Sequence, residues 1–291
     1  MANTIALAKK YTALLDEVYQ LAALTADLES DSTLTREGAN ANEIVIPKMT
    51  LQGLANYSRS SGYVSGDMTL EWETVTFNFD RGRKFTVDAM DNEETVNLAF
   101  GRLAGEFLRT KVVPELDAFR FATYAAVPNI LTPAGATLAD GAAVLAALRV
   151  ATSAQDEGEV GTEGRILYIT PTLLGLVQDL DTTKSREVLS RFSKVKQVPQ
   201  TRFYTAITQY DGTTDGQEAG GFIKNAATGK DINFMIIHPS AVLQFTKQAV
   251  PKIFSPDQNQ DADAWIYNYR SYGLADVYDN KVKGIYLHKK A

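Results

Sequence analysis

The sequence predicts an α+β fold, and three of its patterns support this prediction. Residues 68–90 alternate large apolar side chains with polar ones, which is typical of β-strands. Residues 91–126 then carry apolar residues at helical spacing. Farther along, two short apolar runs each end at a proline that suits the first position of a helix. With 291 residues, 45% of them hydrophobic, the chain can form one large domain or two closely joined ones.

The N-terminal segment predicts an amphipathic helix over residues 4–28, followed by a polar, flexible arm over residues 29–42. The apolar residues of this helix form a stripe whose spacing is close to a heptad repeat. Such a stripe needs a facing helix or groove to cover it. We predict that it docks on another chain, either an adjacent subunit or a separate partner protein; the alternative is that it packs on its own domain. The stripe consists of Leu7, Tyr11, Leu14, Val18, Leu21 and Leu28.

Two strands, Glu43–Leu54 and Met68–Phe79, flank a loop rich in glycine and serine, Ser58–Asp67. Together they predict an extended hairpin that cannot bury both of its faces against its own body. We expect an uncovered apolar surface that contacts another subunit. The predicted contact residues are the aromatic Trp72, Phe77 and Phe79, together with Arg59 and Asp67, which flank the loop.

A turn at Asp80–Arg83 leads to a further strand, Lys84–Met90, and then to the long helix. Asp91 or Asn92 can cap this helix, since both residue types favour helix N-termini. Pro114 is expected to kink or restart it, because proline lacks the N–H that a helix interior needs. A second helix is predicted over Leu138–Ala154.

Two copies of one pattern follow the second helix. Arg165–Ile169 predicts a strand with Pro171 starting a helix, and Asn233–Ile237 predicts a strand with Pro239 starting another. The chain ends in two further predicted strands, which are joined by a turn at residues 279–280. These strands are Ala264–Ala275 and Val277–His288.

The composition excludes several classes of site. The chain has no cysteine, which excludes disulfides, thiolate metal sites and cysteine nucleophiles. Of its two histidines, His238 precedes Pro239 at a predicted helix start, where we expect a capping role. His288 lies three residues from the end, where we expect exposure to solvent. Neither has a partner placed by the sequence, so we predict no catalytic residues and no enzyme.

No motif predicts a cofactor or a metal. No glycine-rich loop has the spacing that cradles phosphates. The acidic run DQNQDAD at 257–263 lacks the central glycine and distal glutamate of a calcium loop, so we interpret it as a solvated loop. Glu71 and Glu73 share one strand face, and we interpret them as outward charges rather than an acid–base pair.

The charge pattern argues against a protein that grips nucleic acid. The net charge is −6, and the basic residues are scattered instead of forming the stripe that phosphate binding requires. An acidic chain can still enclose DNA without sequence-specific binding. No apolar run approaches the roughly 18 residues that span a bilayer, and the N-terminus lacks the apolar core of a signal peptide. We expect no membrane partner and a cytoplasm-like compartment.

The order of these elements resembles that of the major capsid proteins of tailed bacteriophages, whose fold is shared with encapsulins. No single motif is diagnostic, and the resemblance rests on several stretches that occur in order over nearly the whole chain. These are EIVIPKM at 43–49, LEWETVTFNFDRGRKFTVDAMDNEET at 70–95, GEFLRTKVVPELDAFRFATYA at 105–125 and FSPDQNQDADAWIYNYRSYGLADVYDNKVKGIYLHKK at 254–290.

The resemblance implies a phage major capsid fold with an N-terminal arm, an extended β-hairpin loop, a long spine helix (91–126) in a peripheral domain and an α/β axial domain. In this scheme the terminal long strands return to the peripheral domain. The implied ranges are 1–44 for the arm, 45–78 for the extended loop, 79–161 for the peripheral domain, 162–262 for the axial domain and 263–291 for the terminal strands.

The resemblance also implies a structural subunit that self-assembles as pentamers and hexamers into an icosahedral shell enclosing phage DNA. The shell would be assembled in the host cytoplasm and would belong to the virion. Because only about 40 residues precede the first strand, a separate scaffolding protein is expected, together with a portal. Some relatives crosslink covalently through a loop lysine, but the predicted tip has Arg59 and no lysine, which argues against crosslinking here.

Two other functions remain open at this point. An encapsulin-like cellular compartment would share the fold but package an enzyme, and the material that copurifies inside would distinguish it. A soluble enzyme of unknown type would need a deep pocket with titratable groups whose pKa values are shifted.

Overall fold

The computed structural model describes residues 23–30, 36–37, 42–94, 103, 105–180 and 182–291. The α-helices in these ranges are α1 (Ala89–Glu94), α2 (Val113–Ala126), α3 (Gly141–Glu157), α4 (Pro171–Asp179) and α5 (Thr183–Ser190). The strands are β1 (Arg36–Glu37), β2 (Glu43–Leu51), β3 (Met68–Thr76), β4 (Phe79–Asp88), β5 (Ile166–Ile169), β6 (Lys194–Gln197), β7 (Ile207–Gln209), β8 (Phe222–Lys224), β9 (Ile232–Ile237), β10 (Val242–Phe254), β11 (Ala264–Val277) and β12 (Ile285–Lys289). The mixture of helices and sheets confirms the predicted α+β class.

Strands β2 and β3 form the predicted hairpin. They pair antiparallel, with Glu43 opposite Thr76 at the base and Leu51 opposite Met68 at the far end. The base packs on the rest of the chain: Ile46 is 4% exposed and lies in a cluster with side chains of β10 and β11, whereas Met49, Leu51, Met68 and Leu70 are more than half exposed. The far end of the hairpin therefore projects from the body.

Strands β10, β11 and β4 form a long antiparallel sheet with β11 in the centre. The helix that ends as α2 packs on this sheet through aromatic pairs. Phe79 lies 4.9 Å from Phe119, and Phe85 lies 4.9 Å from Phe107, between ring centroids. Edge-on and tilted aromatic contacts of this kind favour one fixed helix position.

The helix after β4 starts earlier than predicted. Helix α1 begins at Ala89, before Asp91 and Asn92, and the Asp88 carboxylate accepts a hydrogen bond from Met90 N. Residues 95–102 and 104, which include part of the predicted apolar stripe, lie outside the described residues. A π-helical turn over Leu108–Val112 leads directly into α2, whose first turn contains Pro114, so the regular α-helical pattern restarts at the proline as predicted. A π turn accommodates a proline because it relaxes the regular i to i−4 hydrogen bonding.

A four-stranded sheet, in the order β12-β9-β5-β6, is the centre of the second half of the chain. Every residue of β5 and β9 is buried, because helices cover both faces. One face packs on α2 through Phe121 and Tyr168, whose ring centroids lie 5.2 Å apart. The other face packs on α3 and α4 through residues such as Leu148 and Val177. Helix α2 therefore lies between the two main sheets.

Two predictions in this half were wrong. Pro239 starts only a single 3₁₀ turn, Pro239–Ala241, after which the chain enters β10. The His238 side chain caps that turn by accepting from Ser240 N, which confirms its predicted role. The last strand also differs: β12 pairs with β9 in the four-stranded sheet, whereas only β11 joins the long sheet with β4.

Candidate inter-subunit surface

The distal hairpin, residues 49–72, exposes an unusual amount of apolar surface. Monomeric soluble proteins seldom leave several large apolar side chains uncovered next to one another. In β2 and β3, the cross-strand pairs Met49–Leu70 and Leu51–Met68 place such side chains opposite each other. The exposed fractions are 54% for Met49, 61% for Leu51, 64% for Met68, 53% for Leu70 and 46% for Trp72.

The tip of the hairpin is ordered by its own hydrogen bonds. The backbones of Ser58 and Gly62 exchange two hydrogen bonds, and the Ser58 hydroxyl accepts from Ser61 N. Gly62 has a φ of +77°, which glycine adopts at little cost. The turn brings Tyr57 and Tyr63 together, with ring centroids 4.8 Å apart and exposed fractions of 60% and 89%. A pair of exposed tyrosines is a common feature of protein interfaces.

The two predicted polar contacts lie at this tip. Arg59 is exposed within the turn between the two tyrosines. Asp67 is exposed where the chain enters β3, and its backbone N–H donates to Gln52 Oε1. Both stay candidates for contacts with a neighbour.

The structure places Phe77 and Phe79 at the base of the hairpin rather than on its exposed part. Phe79 is 4% exposed and is covered by Phe119 of its own chain. Phe77 is partly buried and stacks on Tyr272 with centroids 5.0 Å apart. Both side chains are covered because the chain here leaves the hairpin for the long sheet. Phe79 therefore adds no uncovered surface to the hairpin, contrary to expectation.

One ion pair fixes the hairpin base to the body. Lys48 Nζ donates to Asp279 Oδ2 at 2.7 Å and lies 3.7 Å from Glu73 Oε2. The hydrogen bond to Asp279 is the main cause of a raised pKa for Lys48. All three groups are exposed, so the pair orients the hairpin more than it stabilises the fold.

The predicted N-terminal contacts Leu7, Tyr11, Leu14, Val18 and Leu21 lie outside the described residues. The end of the predicted helix is described, and it is a 3₁₀ turn, Leu24–Leu28, that packs on its own chain. Leu28 is 1% exposed in the core beside Phe121 and Tyr124. The pKa of Asp27 is lowered, and the main cause is the hydrogen bond that Lys196 donates to its carboxylate.

The buried carboxylate of Asp117 holds the turn at Leu24–Leu28 in place, and it was not predicted from the sequence. Asp117 of α2 is fully buried and accepts from Thr25 N at 3.2 Å, from Thr25 Oγ1 at 2.8 Å and from Arg202 Nη1 at 3.1 Å. Arg120 Nη1 also donates to Thr25 Oγ1, at 2.9 Å. The sequence signal for this site was the presence of Asp117 and Arg120 on the buried face of a predicted helix.

A cavity of about 540 Å³ lies between the long sheet and the helix that precedes α2. Phe85, Phe107 and Tyr269 form its apolar floor, and the loop at 210–221 closes one side. We call it the helix–sheet cavity. Its volume is within the range of about 300–1,000 Å³ that is typical of ligand pockets.

Among the described residues, no three acidic or histidine side chains converge as metal ligands. The carboxylates with a lowered pKa belong to ion pairs, such as Asp80 with Arg270, or to local turns, such as Asp211 with Thr214. In the same ranges no helix combines the length and the apolar character needed to cross a membrane.

Comparison with known proteins identifies the fold. No family model and no curated protein matches the sequence. Among solved structures, the capsid of the cyanophage P-SCSP1u matches with a TM-score of 0.63 at 12% identity, covering 98% of this chain and 93% of that one. The mature capsid of bacteriophage PhiM1 matches with a TM-score of 0.58 at 12% identity, covering 100% and 92%. A virus-like particle from Pyrococcus furiosus matches with a TM-score of 0.52 at 11% identity, covering 84% and 86%. The chain therefore has the fold of these shell proteins.

Proposed function

We propose that this chain is a structural subunit that self-assembles into the icosahedral capsid shell of a tailed bacteriophage. The capsid fold supports the proposal, and the main observation behind it is the exposed apolar surface of the distal hairpin. A hairpin whose base is anchored and whose far half is uncovered is suited to lie on a neighbouring subunit. The predicted contacts Trp72, Arg59 and Asp67 remain part of this proposed interface.

The energetics favour a repeated contact of this kind. Covering several half-exposed Leu, Met and Trp side chains stabilises an interface by roughly 5–10 kcal/mol before other costs. Association costs about 4–15 kcal/mol, because the two subunits lose translational and rotational freedom. A single contact is therefore marginal, whereas a closed shell lets every subunit donate one hairpin and receive one.

The roles of the chain segments belong to the same proposal. The helix that ends as α2 acts as a spine, in a peripheral domain at 79–161, and residues 162–262 form an axial domain near capsomer centres. The N-terminal segment, with Leu7 to Leu21, docks on an adjacent subunit or on a separate scaffolding protein. The position of α2 between the two main sheets supports a spine role.

The shell would enclose DNA without binding a sequence. The net charge of −6 and the scattered basic residues favour weak contact with DNA. A portal is a further expected partner. A cellular compartment is the less favoured alternative, since the virus-like particle matches less of the chain than the phage capsids do.

Electron microscopy and sedimentation of the purified full chain test the proposal. We expect closed shells or hexamer sheets. Leu51→Ser with Leu70→Ser should abolish them without changing the unfolding of the subunit, because both side chains are exposed. Val150→Ser, at a position 60% exposed on α3, is the matched control and should assemble normally. A wild-type chain that stays monomeric at all concentrations contradicts the proposal.

A further inference from the structure

The helix–sheet cavity has an aromatic floor that is already in place. Phe107 of the helix lies 4.9 Å from Phe85 and 6.0 Å from Tyr269, between ring centroids. These rings fix one another in edge-on contacts and leave a space of about 540 Å³ beside them. A space of this size with aromatic walls can take the apolar body of a small molecule, because binding there removes apolar surface from water.

An arginine of β4 keeps the cavity from collapsing. Arg81 donates to the Glu115 carboxylate on α2 and to the backbone carbonyl oxygen of Tyr210, both at 2.7 Å. The Gln209 side chain also donates to Glu115, at 3.3 Å. These bonds tie the sheet, the helix and the loop at 210–221 to one another, so the space between them does not depend on an occupant.

The carboxylates that line the cavity already have partners within the chain. Glu115 pairs with Arg81, and Glu106 lies 3.4 Å from the guanidinium of Arg109. The Asp211 carboxylate accepts hydrogen bonds from the backbone and side-chain donors of its own turn. None of the three negative charges therefore needs a cation from outside.

Two cations of the lining have no carboxylate partner among the described residues. Arg83 donates to the backbone carbonyl oxygen of Glu218 at 3.0 Å, and its other terminal nitrogen lies beside Gly212 and Gly220, which offer no side chain to receive it. Lys111 is exposed on the π-helical turn, and its side chain forms no ion pair or hydrogen bond within the described ranges. The lining therefore combines an aromatic floor with two positive charges that lack a counter-charge.

We propose that the helix–sheet cavity binds a small amphipathic anion, such as a carboxylate with an acyl or aromatic body. The apolar body lies on the aromatic floor, and the charged group lies at Arg83 and Lys111, which both line the cavity. A neutral hydrocarbon would leave the two cations without a counter-charge, and an amphipathic cation would be repelled by them. The site belongs to the single chain, so it does not depend on shell formation.

Isothermal titration calorimetry with dodecanoate, below the concentration at which it forms micelles, tests this site. The full-length chain carries Leu51→Ser and Leu70→Ser, because the natural side chains are exposed on the hairpin and offer a second apolar surface. We expect one dodecanoate to bind per chain. Dodecyltrimethylammonium has an alkyl chain of similar length and the opposite charge, and should bind at least about ten-fold more weakly.

A charge reversal at the cavity locates the bound anion. Lys111→Glu should weaken dodecanoate binding on the order of ten-fold, because it places a negative charge next to the carboxylate of the ligand. Lys84→Glu is the matched control. Lys84 is also exposed, does not line the cavity and lies on the other face of β4 from Arg83, so dodecanoate affinity should stay within about two-fold.

Three results would overturn the site. The absence of saturable dodecanoate binding shows that the cavity takes no such ligand. An affinity for the ammonium that equals or exceeds the affinity for the carboxylate shows that the cavity does not select an anion. Equal losses in Lys111→Glu and Lys84→Glu place the bound anion elsewhere on the chain.

Discussion

At the scale of single residues, the carboxylate of Asp117 connects three separate parts of the chain. It lies on α2 and accepts hydrogen bonds from the turn at Thr25 and from Arg202. Both charged side chains are at most 2% exposed. A buried pair of this kind adds little to stability by itself, but loss of one partner leaves the other charge in a medium of low polarity.

We predict that Asp117→Asn lowers the free energy of unfolding of the unassembled subunit by about 3–5 kcal/mol, because the buried Arg202 loses its counter-charge. Urea unfolding followed by circular dichroism measures the change. Asp80→Asn is the matched control: its pair with Arg270 is exposed, and we expect a loss below about 1 kcal/mol. Equal losses in the two variants would contradict the role of the buried pair.

The environment of a residue was predicted correctly where it depends on neighbours in sequence, and wrongly where it depends on long-range strand pairing. The capping role of His238 follows from its immediate neighbours, and the structure confirms it. His288 was expected in solvent but is 5% exposed, accepts a hydrogen bond from Asn233 and stacks on Phe234. Burial lowers its pKa. Its position depends on pairing of the last strand with β9, which local sequence does not encode.

At the scale of elements, the N-terminal segment divides at about residue 23. Leu28 fills a core position and Thr25 bonds Asp117, so the turn at Leu24–Leu28 belongs to its own subunit. The predicted helical stripe before it remains a candidate for contact with another subunit or with a scaffolding protein.

We predict that removing residues 1–22 leaves the unfolding of the subunit unchanged but reduces assembly. Removing residues 1–30 should also lower the free energy of unfolding by at least about 3 kcal/mol, since it empties the site of Leu28 and removes Thr25, one of the hydrogen-bond partners of Asp117. Thermal unfolding and sedimentation measure the two effects. Lower stability with normal assembly after the shorter truncation would place the segment in its own core.

The hairpin tip gives a second test at this scale. Deleting residues 60–65 removes Tyr63 and should leave the free energy of unfolding within about 0.5 kcal/mol, because the side chains of the tip are mostly exposed. The critical concentration for assembly should rise on the order of ten-fold, equivalent to about 1.4 kcal/mol per contact. Ser61→Ala keeps the loop length and serves as control. Normal assembly of the deletion variant would show that the tip makes no contact.

The elements that the sequence predicted correctly are those with local signals. The alternation in β3 and the Gly/Ser loop predicted the hairpin, and the helix predicted over Leu138–Ala154 matches most of α3. The turn at Pro239 was predicted as a helix start, but Val242 and Phe245 pair with β11 and continue as a strand. Long-range pairing overrode the local preference there.

At the scale of the whole molecule, the order of elements predicted the capsid fold, and the solved phage capsids share it. The helix–sheet cavity could not be predicted, because its lining comes from residues 79–85, 103–115, 210–221 and 269–271 among those described, which are distant in sequence. In the proposed shell the interface is asymmetric, because the projecting apolar hairpin of one subunit lies on a different surface of the next subunit. Head-to-tail contact of such subunits is the physical basis of the proposed shell.

A cryo-electron microscopy map of the assembled particle, at a resolution that traces the backbone, tests this claim most directly. We predict a closed shell in which residues 49–72 of each subunit lie across an adjacent subunit and their apolar side chains are covered. A particle in which this hairpin rests only on its own subunit, or is left in solvent, would contradict it.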